Sequence, residues 1–174
     1  ITPRTKLGGC VHANNVLGTI QPVDAIGTIA RKAGALFLVD ASQSAGVLPI
    51  RLDEMDVDLL AFTGHKGLLG PAGTGGLYVR DGVPVEPLKH GGTGVHSESL
   101  EPPDAMPEGY EPGTFNTPGL AGLRAGVEFI RGVGVDKIRA HEAALNGRFM
   151  EQIRGIRGLR TYGPPGPEDK VGIT

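Results

Sequence analysis

The chain has 174 residues and a formal net charge of −2, and its longest basic run is a dipeptide, so we expect neither nucleic acid nor an anionic membrane surface as a partner. No apolar run approaches the roughly 20 residues that cross a bilayer, so no membrane span is predicted. The single cysteine, Cys10, excludes an intramolecular disulfide and fits a reducing compartment, from which we expect a cytoplasmic location.

The first 80 residues alternate between strands and a helix, which predicts an α/β fold. The helix is expected over 22–33, because Pro22 suits the first helical position and Gly34 follows the last apolar residue of the pattern. Continuously apolar strands are typical of parallel sheets that are covered on both faces. We therefore expect a mostly parallel sheet with flanking helices. The predicted strands are 7–12, 35–39, 57–62 and 75–80.

The second half of the chain is predicted to be a long loop followed by two helices. Residues 81–118 are rich in proline, glycine and acidic side chains, and a loop of this length is uncommon unless it is functional. Thr117 and Pro118 are expected to cap the first helix. The second helix is expected from about Asp136.

The proline- and glycine-rich run 163–167 predicts a domain boundary. It divides the chain into 1–160, part of a larger domain, and 161–174, the start of a second one. The chain begins without methionine, and its last six residues read as the opening of another strand. We therefore expect it to be a portion of a longer polypeptide.

Lys66 follows an apolar strand and opens a glycine-rich loop, and Asp40 ends the strand before it. Open α/β sheets bind ligands outside the carboxyl ends of their strands, where both residues are predicted to lie. A lysine and a carboxylate can hold pyridoxal phosphate: the amine forms a Schiff base with the aldehyde, and the carboxylate pairs with the pyridinium nitrogen. The glycines would let the backbone approach such a ligand. The alternatives are a surface lysine and a carboxylate that caps the next helical segment.

Neighbouring polar side chains are candidates to complete such a site. Gln43 is placed to donate to the ring oxygen of the cofactor, with an ordinary polar loop residue as the alternative. Thr63, His65 and Thr93 are candidate phosphate donors, because polar groups in glycine-rich turns bind phosphate by charge-assisted hydrogen bonds. The loop 70–76 lacks the Gly-Lys-Ser/Thr triplet of a nucleotide-binding loop, so nucleotide binding is rejected.

Cys10 and His12 are two residues apart on a predicted strand and would share one face, which allows a nucleophile and base pair. Free cysteines are commonly buried, so we favour a small core residue for Cys10. His96 and His141 have no partners at metal-ligand spacing, and no metal site is predicted.

Together these motifs resemble the class V aminotransferases, and they are most similar to the cysteine desulfurase and selenocysteine lyase group. The resemblance runs from about Thr5 to about Ile156. Several motifs in the same order are far more specific than any single one. They lie at 12–18, 39–46, 62–66, 70–78, 90–94 and 110–119.

The resemblance implies a fold type I enzyme that depends on pyridoxal 5′-phosphate, with the large-domain fold of the aspartate aminotransferase type. Lys66 would form the Schiff base, Asp40 would pair with the pyridinium, and Gln43 would bond the ring oxygen. Thr63 and His65 would hold the phosphate.

The resemblance also implies contacts beyond the cofactor ring. Thr93 lies where the family donates to the phosphate of the neighbouring subunit, which implies a homodimer with shared sites. Asn15 matches a residue near the substrate carboxylate and the ring oxygen. Asn116 lies in a family motif near the active site and receives no specific role.

Other parts of the family's site have no counterpart in the sequence. An aromatic residue that stacks on the cofactor and a further phosphate-binding turn precede the matched region. The cysteine that accepts sulfur and the arginine that binds the substrate carboxylate follow it, and Cys10 does not match that cysteine.

The resemblance therefore implies a portion of a cysteine desulfurase, which takes sulfur from L-cysteine to give alanine and an enzyme persulfide and can pass the sulfur to an acceptor protein. This portion alone is expected to be inactive. The alternatives are a selenocysteine lyase, another class V aminotransferase, or a non-catalytic relative that keeps the fold.

Overall fold

The computed structural model describes residues 1–92, 94 and 106–174 of the chain, and a four-stranded sheet lies at its centre. The strand order is β1-β2-β3-β4, with the first two pairs parallel and the last pair antiparallel. The predicted α/β class with a mostly parallel sheet is confirmed. The elements are β1 Leu7–Val11, α1 Val23–Lys32, β2 Leu36–Asp40, β3 Leu59–Thr63, β4 Gly75–Val79, α2 Thr117–Val133 and α3 Val135–Ile153.

The antiparallel direction of β4 follows from the length of the connection before it. Residues 64–74 join β3 to β4, whereas a parallel crossover needs about a dozen residues or more, usually including a helix. Each predicted strand is confirmed, with small shifts at its ends. The glycine-rich loop after Lys66 is therefore the turn of a wide hairpin.

One face of the sheet packs against α1 and forms the main core. Phe37 and Val39 on β2 and Leu60 on β3 point to this side and are buried. Helix α1 contributes Val23 and Ala30 to the same cluster. This packing anchors the strands, so that their carboxyl ends form a rigid edge.

The opposite face of the sheet is partly open in the described part of the chain, although Leu59 on this face is buried. Leu7, Val11 and Leu77 lie on this side and are 52%, 41% and 53% exposed. Val11 pairs directly with Asp40, and Leu77 pairs with Ala61. Because paired residues in a sheet share a face, Asp40 belongs to the open side.

The last residues return to the loop that follows β1. The Val171 N–H donates to the Gly18 carbonyl at 2.9 Å, and the Ile20 N–H donates to the Asp169 carbonyl at 2.9 Å. Val171 is buried in a second cluster with Ala13. This pairing brings residues 171–173 to the edge of the sheet where the candidate residues lie.

Lys170 is buried, with 1% of its surface exposed. Its ammonium donates to the Thr174 hydroxyl at 3.0 Å, and the Asn146 side-chain amide donates to the same oxygen at 2.7 Å. Burial lowers the pKa of Lys170. No local pattern in the sequence marked this lysine as buried, because it pairs with Thr19, which is distant in the chain.

Helix α2 begins at Thr117, and its cap is Asn116. The Asn116 side-chain oxygen accepts the Gly119 N–H at 3.1 Å, so the prediction that Thr117 and Pro118 form the cap is wrong. Those two residues occupy the first turn, where proline is tolerated because the first N–H groups have no partner within the helix. Gly134, with φ of 94°, separates α2 from α3. Within the described ranges, no helix has the length and apolar character needed to cross a membrane.

Candidate active site

Asp40 ends β2, between its pairing partners Val11 on β1 and Ala61 on β3. Its side chain is half-buried, and one carboxylate oxygen accepts the Ser42 N–H at 2.8 Å. This bond closes a turn at the strand end, so Asp40 does organise the segment that follows it. The second carboxylate oxygen accepts no hydrogen bond from the described residues. It remains available on the open face of the sheet.

Thr63 ends β3 and lies on the same face as Asp40, because Asp40 pairs with Ala61, two residues before Thr63. The Thr63 hydroxyl is buried and has no hydrogen-bond partner among the described residues. Leaving a buried polar group unsatisfied costs about 1–3 kcal/mol. Since native proteins rarely leave such groups unpaired, the Thr63 hydroxyl is a candidate to bind a polar ligand group at this edge of the sheet.

The loop between β3 and β4 is closed by its own backbone. The Gly64 N–H donates to the Thr74 carbonyl at 2.8 Å, and the Gly70 N–H donates to the Gly64 carbonyl at 2.7 Å. These bonds hold both ends of the loop at the end of β3. The segment between them is thereby presented at the carboxyl edge of the sheet.

Lys66 and His65 lie in this segment, and both are exposed. The Lys66 carbonyl accepts the Leu69 N–H at 2.9 Å, which closes a tight turn after the lysine. Leu69 adopts φ of 58°, a left-handed conformation that costs a non-glycine residue of order 1–3 kcal/mol. The turn that carries Lys66 is therefore strained, as is common at functional sites.

The glycines near Lys66 make room for the protein's own atoms. A Cβ atom on Gly67 would stand 2.5 Å from the Ala45 carbonyl oxygen, and one on Gly70 would stand 2.8 Å from Leu123 Cδ1. The expectation that these glycines allow a ligand to approach the backbone is corrected. They let the Lys66 loop pack against the loop after β2 and against α2.

Lys66 and Gln43 line one cleft of about 310 Å³. The cleft lies between the loops that follow β2 and β3, helix α3 and residues 171–173. Its volume is at the lower end of the range for small-molecule sites. The other lining residues are Val47, Gly67, Leu69, Glu142, Val171, Gly172 and Ile173.

Four predicted residues do not line this cleft: Asp40, Thr63, His65 and Asn15. Asn15 is exposed in the turn after β1, and Asn14, which the sequence did not single out, shapes that turn. The Asn14 side-chain oxygen accepts the N–H groups of residues 16 and 17, each at 2.8 Å. His65 makes no side-chain hydrogen bond within the described ranges, and Thr93 lies outside them.

His12 lies behind the candidate site and is 7% exposed. The backbone N–H of His12 donates to the Asp40 backbone carbonyl at 2.8 Å, and the ring Nδ1 of His12 has no partner in the described part of the chain. Burial lowers the pKa of His12, and the charge of Asp24 partly opposes this. Cys10, on the same face of the strand, packs against the main core, as predicted for a small core residue.

The residues present fit pyridoxal phosphate. Asp40 offers a carboxylate oxygen to a protonated ring nitrogen, and Thr63 offers an unpaired hydroxyl to a phosphate oxygen. Lys66 supplies the amine that an aldehyde requires, and Gln43 supplies an amide in the same cleft. The set contains one group for each polar part of the cofactor.

Comparisons with known proteins agree with this chemistry. The family model for aminotransferase class-V matches residues 1–174. A probable cysteine desulfurase from Methanothermobacter thermautotrophicus is 39% identical over 165 residues, which cover 92% of this chain and 41% of the relative.

Two solved structures are similar as well. The apo cysteine desulfurase from Thermococcus onnurineus is 35% identical with a TM-score of 0.86, over 96% of this chain and 42% of that one. A protein solved in complex with cysteine is 39% identical with a TM-score of 0.63, over 74% of this chain and 34% of that one. The chain therefore spans less than half the length of each of these three proteins.

Proposed function

Because the chain belongs to the class-V aminotransferase family, we propose that the whole protein is a cysteine desulfurase that depends on pyridoxal 5′-phosphate. The relatives that carry the name cysteine desulfurase support this proposal. One observation carries the proposal: Asp40 and Thr63 end neighbouring strands and lie on the same face of the sheet. Lys66 lies in the loop that follows Thr63. Ring nitrogen, phosphate and aldehyde groups need these three kinds of partner at one edge of a sheet.

Each residue has a distinct role in this proposal. The Lys66 amine would bond to the cofactor aldehyde at rest and, once released, would move the proton of the substrate α-carbon. Asp40 would keep the ring nitrogen protonated, and Gln43 would donate to the ring oxygen. Thr63 and His65 would bind the phosphate. The cofactor supplies an electron sink for the bonds at the substrate α-carbon.

The proposed substrate is L-cysteine, which the complex of the 39% identical protein supports. The C–S bond of the substrate breaks, and an S–S bond forms to a thiol of the enzyme, whose proton ends on the product alanine. Cys10 is unsuited as that thiol because it packs against the main core. We therefore assign the acceptor to a cysteine outside these 174 residues, and Asn15 to the substrate carboxylate.

The remaining assignments are part of the same proposal. Thr93 would reach the phosphate bound by the neighbouring subunit, which makes the protein a homodimer. An acceptor protein would take the sulfur onward, and the location would be cytoplasmic. The division of the chain into 1–160 and 161–174 also stays a prediction.

Visible absorption of the whole protein tests the cofactor assignment. A lysine-bound cofactor gives a visible band that borohydride abolishes, and Lys66→Ala should lack the band. Lys137→Ala, an exposed lysine of α3, is the matched control and should keep it. A wild-type protein that shows no band with added pyridoxal phosphate would overturn the cofactor assignment.

Product analysis tests the reaction separately. With L-cysteine and a reductant, the whole protein should release alanine and sulfide in equal amounts. A protein that shows the band but yields neither product from cysteine would refute the desulfurase assignment alone. Selenocysteine and other amino acids in the same assay would then separate a selenocysteine lyase from an aminotransferase.

A further inference from the structure

The cleft that holds Lys66 contains a carboxylate without an assigned role. Two charged side chains line this cleft: Lys66, from the loop after β3, and Glu142, from α3. The rest of the lining is Gln43 together with glycine and aliphatic residues. Among the described residues that line the cleft, Glu142 is thus the one group of charge opposite to that of Lys66.

The position of Glu142 is set by its packing against the segment 171–173. Its side chain is half-buried, and a Cβ atom on Gly172 would stand 3.4 Å from Oε2 and 3.6 Å from Cδ of Glu142. The carboxylate therefore lies directly over Gly172. Among the described residues, neither Glu142 nor Lys66 forms an ion pair. Two opposite charges share one cleft, and neither has a partner from the described ranges.

We propose that Glu142 pairs with the Lys66 ammonium, after rotation of the lysine side chain, when that amine is not bonded to the cofactor. The inference rests on the proposed function of Lys66. Lysine has a flexible four-carbon stem and three rotatable donors, so Nζ can change its position in the cleft by rotation of the stem. Attraction between the charges is stronger in a partly buried cleft than in bulk water. Glu142 is a positioning residue, because it would set the position of the Lys66 amine and would not contact the reacting atoms.

Other charged groups on the surrounding elements do not line the cleft. Asp40 accepts the Ser42 N–H at the end of β2, and the buried Lys170 donates to Thr174. Arg139, one turn before Glu142 on α3, donates to the carbonyl groups of residues 167 and 168. Glu142 is thus the carboxylate best placed to receive the amine.

Zero-length cross-linking of the whole protein tests the contact directly. After removal of the cofactor, a carbodiimide should join Lys66 to Glu142, and peptide mass spectrometry should detect the isopeptide bond. Lys66→Arg should abolish the product, because a guanidinium is not coupled. Loading with pyridoxal phosphate should reduce it. A cross-link from Lys66 to Asp40 in place of Glu142, or no cross-link from Lys66, would overturn the proposal. This test uses the wild-type protein and so does not depend on whether a variant folds.

Cofactor uptake provides a second readout, because an ion pair that holds the amine competes with its capture of the aldehyde. Glu142→Gln should raise the apparent affinity for pyridoxal phosphate about two- to fivefold, the range for an exposed ion pair. About 1 M salt should remove the difference, because charges are then screened within about 3 Å. Glu151→Gln, which removes an exposed charge of α3 outside the cleft, is the control and should match the wild type.

The two proposals fail in different ways. A wild-type protein that takes up no pyridoxal phosphate refutes the proposed function, even where the cross-link forms. A protein that takes up the cofactor with the same affinity in Glu142→Gln and wild type, and that gives no cross-link between Lys66 and Glu142, refutes only the role of Glu142.

Discussion

Gly46 and Gly67 meet backbone to backbone, and neither position has room for a side chain. A Cβ atom on Gly46 would overlap the Gly67 carbonyl oxygen, and one on Gly67 would stand 2.5 Å from the Ala45 carbonyl oxygen. Gly46 follows the strand that ends in Asp40, and Gly67 is the residue after Lys66. This contact therefore fixes the Asp40 segment and the Lys66 segment relative to each other.

Gly46→Ala should destabilise the protein by about 2–4 kcal/mol, because it adds a backbone clash to the cost of φ at 82°. Gly34→Ala is the control, since Gly34 has a similar φ of 69° and nothing within 4 Å of the added Cβ. It should cost only about 1 kcal/mol. Urea unfolding measures both values. Equal losses in the two variants would show that the loops can separate to admit the methyl group.

Thr63→Val should separate stability from cofactor binding. The substitution removes a buried hydroxyl that has no partner in the described chain and keeps the shape, so the cofactor-free protein should gain up to about 1 kcal/mol in free energy of unfolding. The affinity for pyridoxal phosphate should fall about tenfold or more, the value of one hydrogen bond to a charged group. Thermal melts and spectral titration measure the two effects.

Thr63→Ser is the matched control for this pair of measurements. It keeps the hydroxyl and should keep most of the affinity, while the missing methyl group lowers stability slightly. Loss of affinity in Thr63→Ser equal to that in Thr63→Val would assign the effect to packing at the end of β3. The role of the hydroxyl as a phosphate donor would then be rejected.

Asp40→Asn should lower kcat while leaving the fold intact. The asparagine oxygen can still accept the Ser42 N–H, so the free energy of unfolding should change by no more than about 0.5 kcal/mol. Loss of the charge that keeps the ring nitrogen protonated should reduce kcat about 100-fold or more, as for other electrostatic contacts made in the transition state.

Asp56→Asn is expected to show the opposite pattern. Asp56 accepts the Thr28 hydroxyl at 3.0 Å and pairs with Arg31, so it ties α1 to the segment before β3. Its substitution should cost about 1 kcal/mol of stability and leave kcat unchanged. Steady-state assays and urea unfolding of both variants provide the comparison. An Asp40→Asn enzyme with the activity of the wild type would contradict the proposed role of Asp40.

The sequence predicted where residues lie when their position depends on local order along a strand. Asp40 and Thr63 end apolar strands, and the alternation of side chains then puts both on one face of the sheet. Lys66 was marked by the loop that follows. The positions of Asp40, Thr63 and Lys66 at the carboxyl edge could therefore be predicted without knowledge of the packing.

Residues whose role depends on distant parts of the chain were missed. Glu142 reaches the Lys66 cleft only because 171–173 returns to the sheet and α3 packs against it, and nothing near Glu142 in the sequence specifies this. The cap at Asn116 could not be predicted, because a cap depends on where the helix starts. Burial of His12 likewise comes from the elements around the strand end.

His12 should make stability depend on pH below its ordinary pKa near 6.5. Burial lowers the pKa of His12 in the folded protein, so the unfolded chain binds its proton at a higher pH than the folded one does. The contribution of His12 to stability is therefore fully present above pH 6.5 and is lost as the pH falls toward the lowered folded pKa. Between pH 7.5 and pH 5.5, the wild-type free energy of unfolding should decrease.

His12→Gln should flatten this decrease, because the side chain no longer takes up a proton on unfolding. His141→Gln, at an exposed position on α3, should leave the slope as in the wild type. Urea unfolding at several pH values between 5.5 and 7.5 gives the slopes of the three proteins. A slope in His12→Gln as steep as that of the wild type would mean that another group carries the dependence, and that His12 binds its proton in the folded state as readily as in the unfolded one.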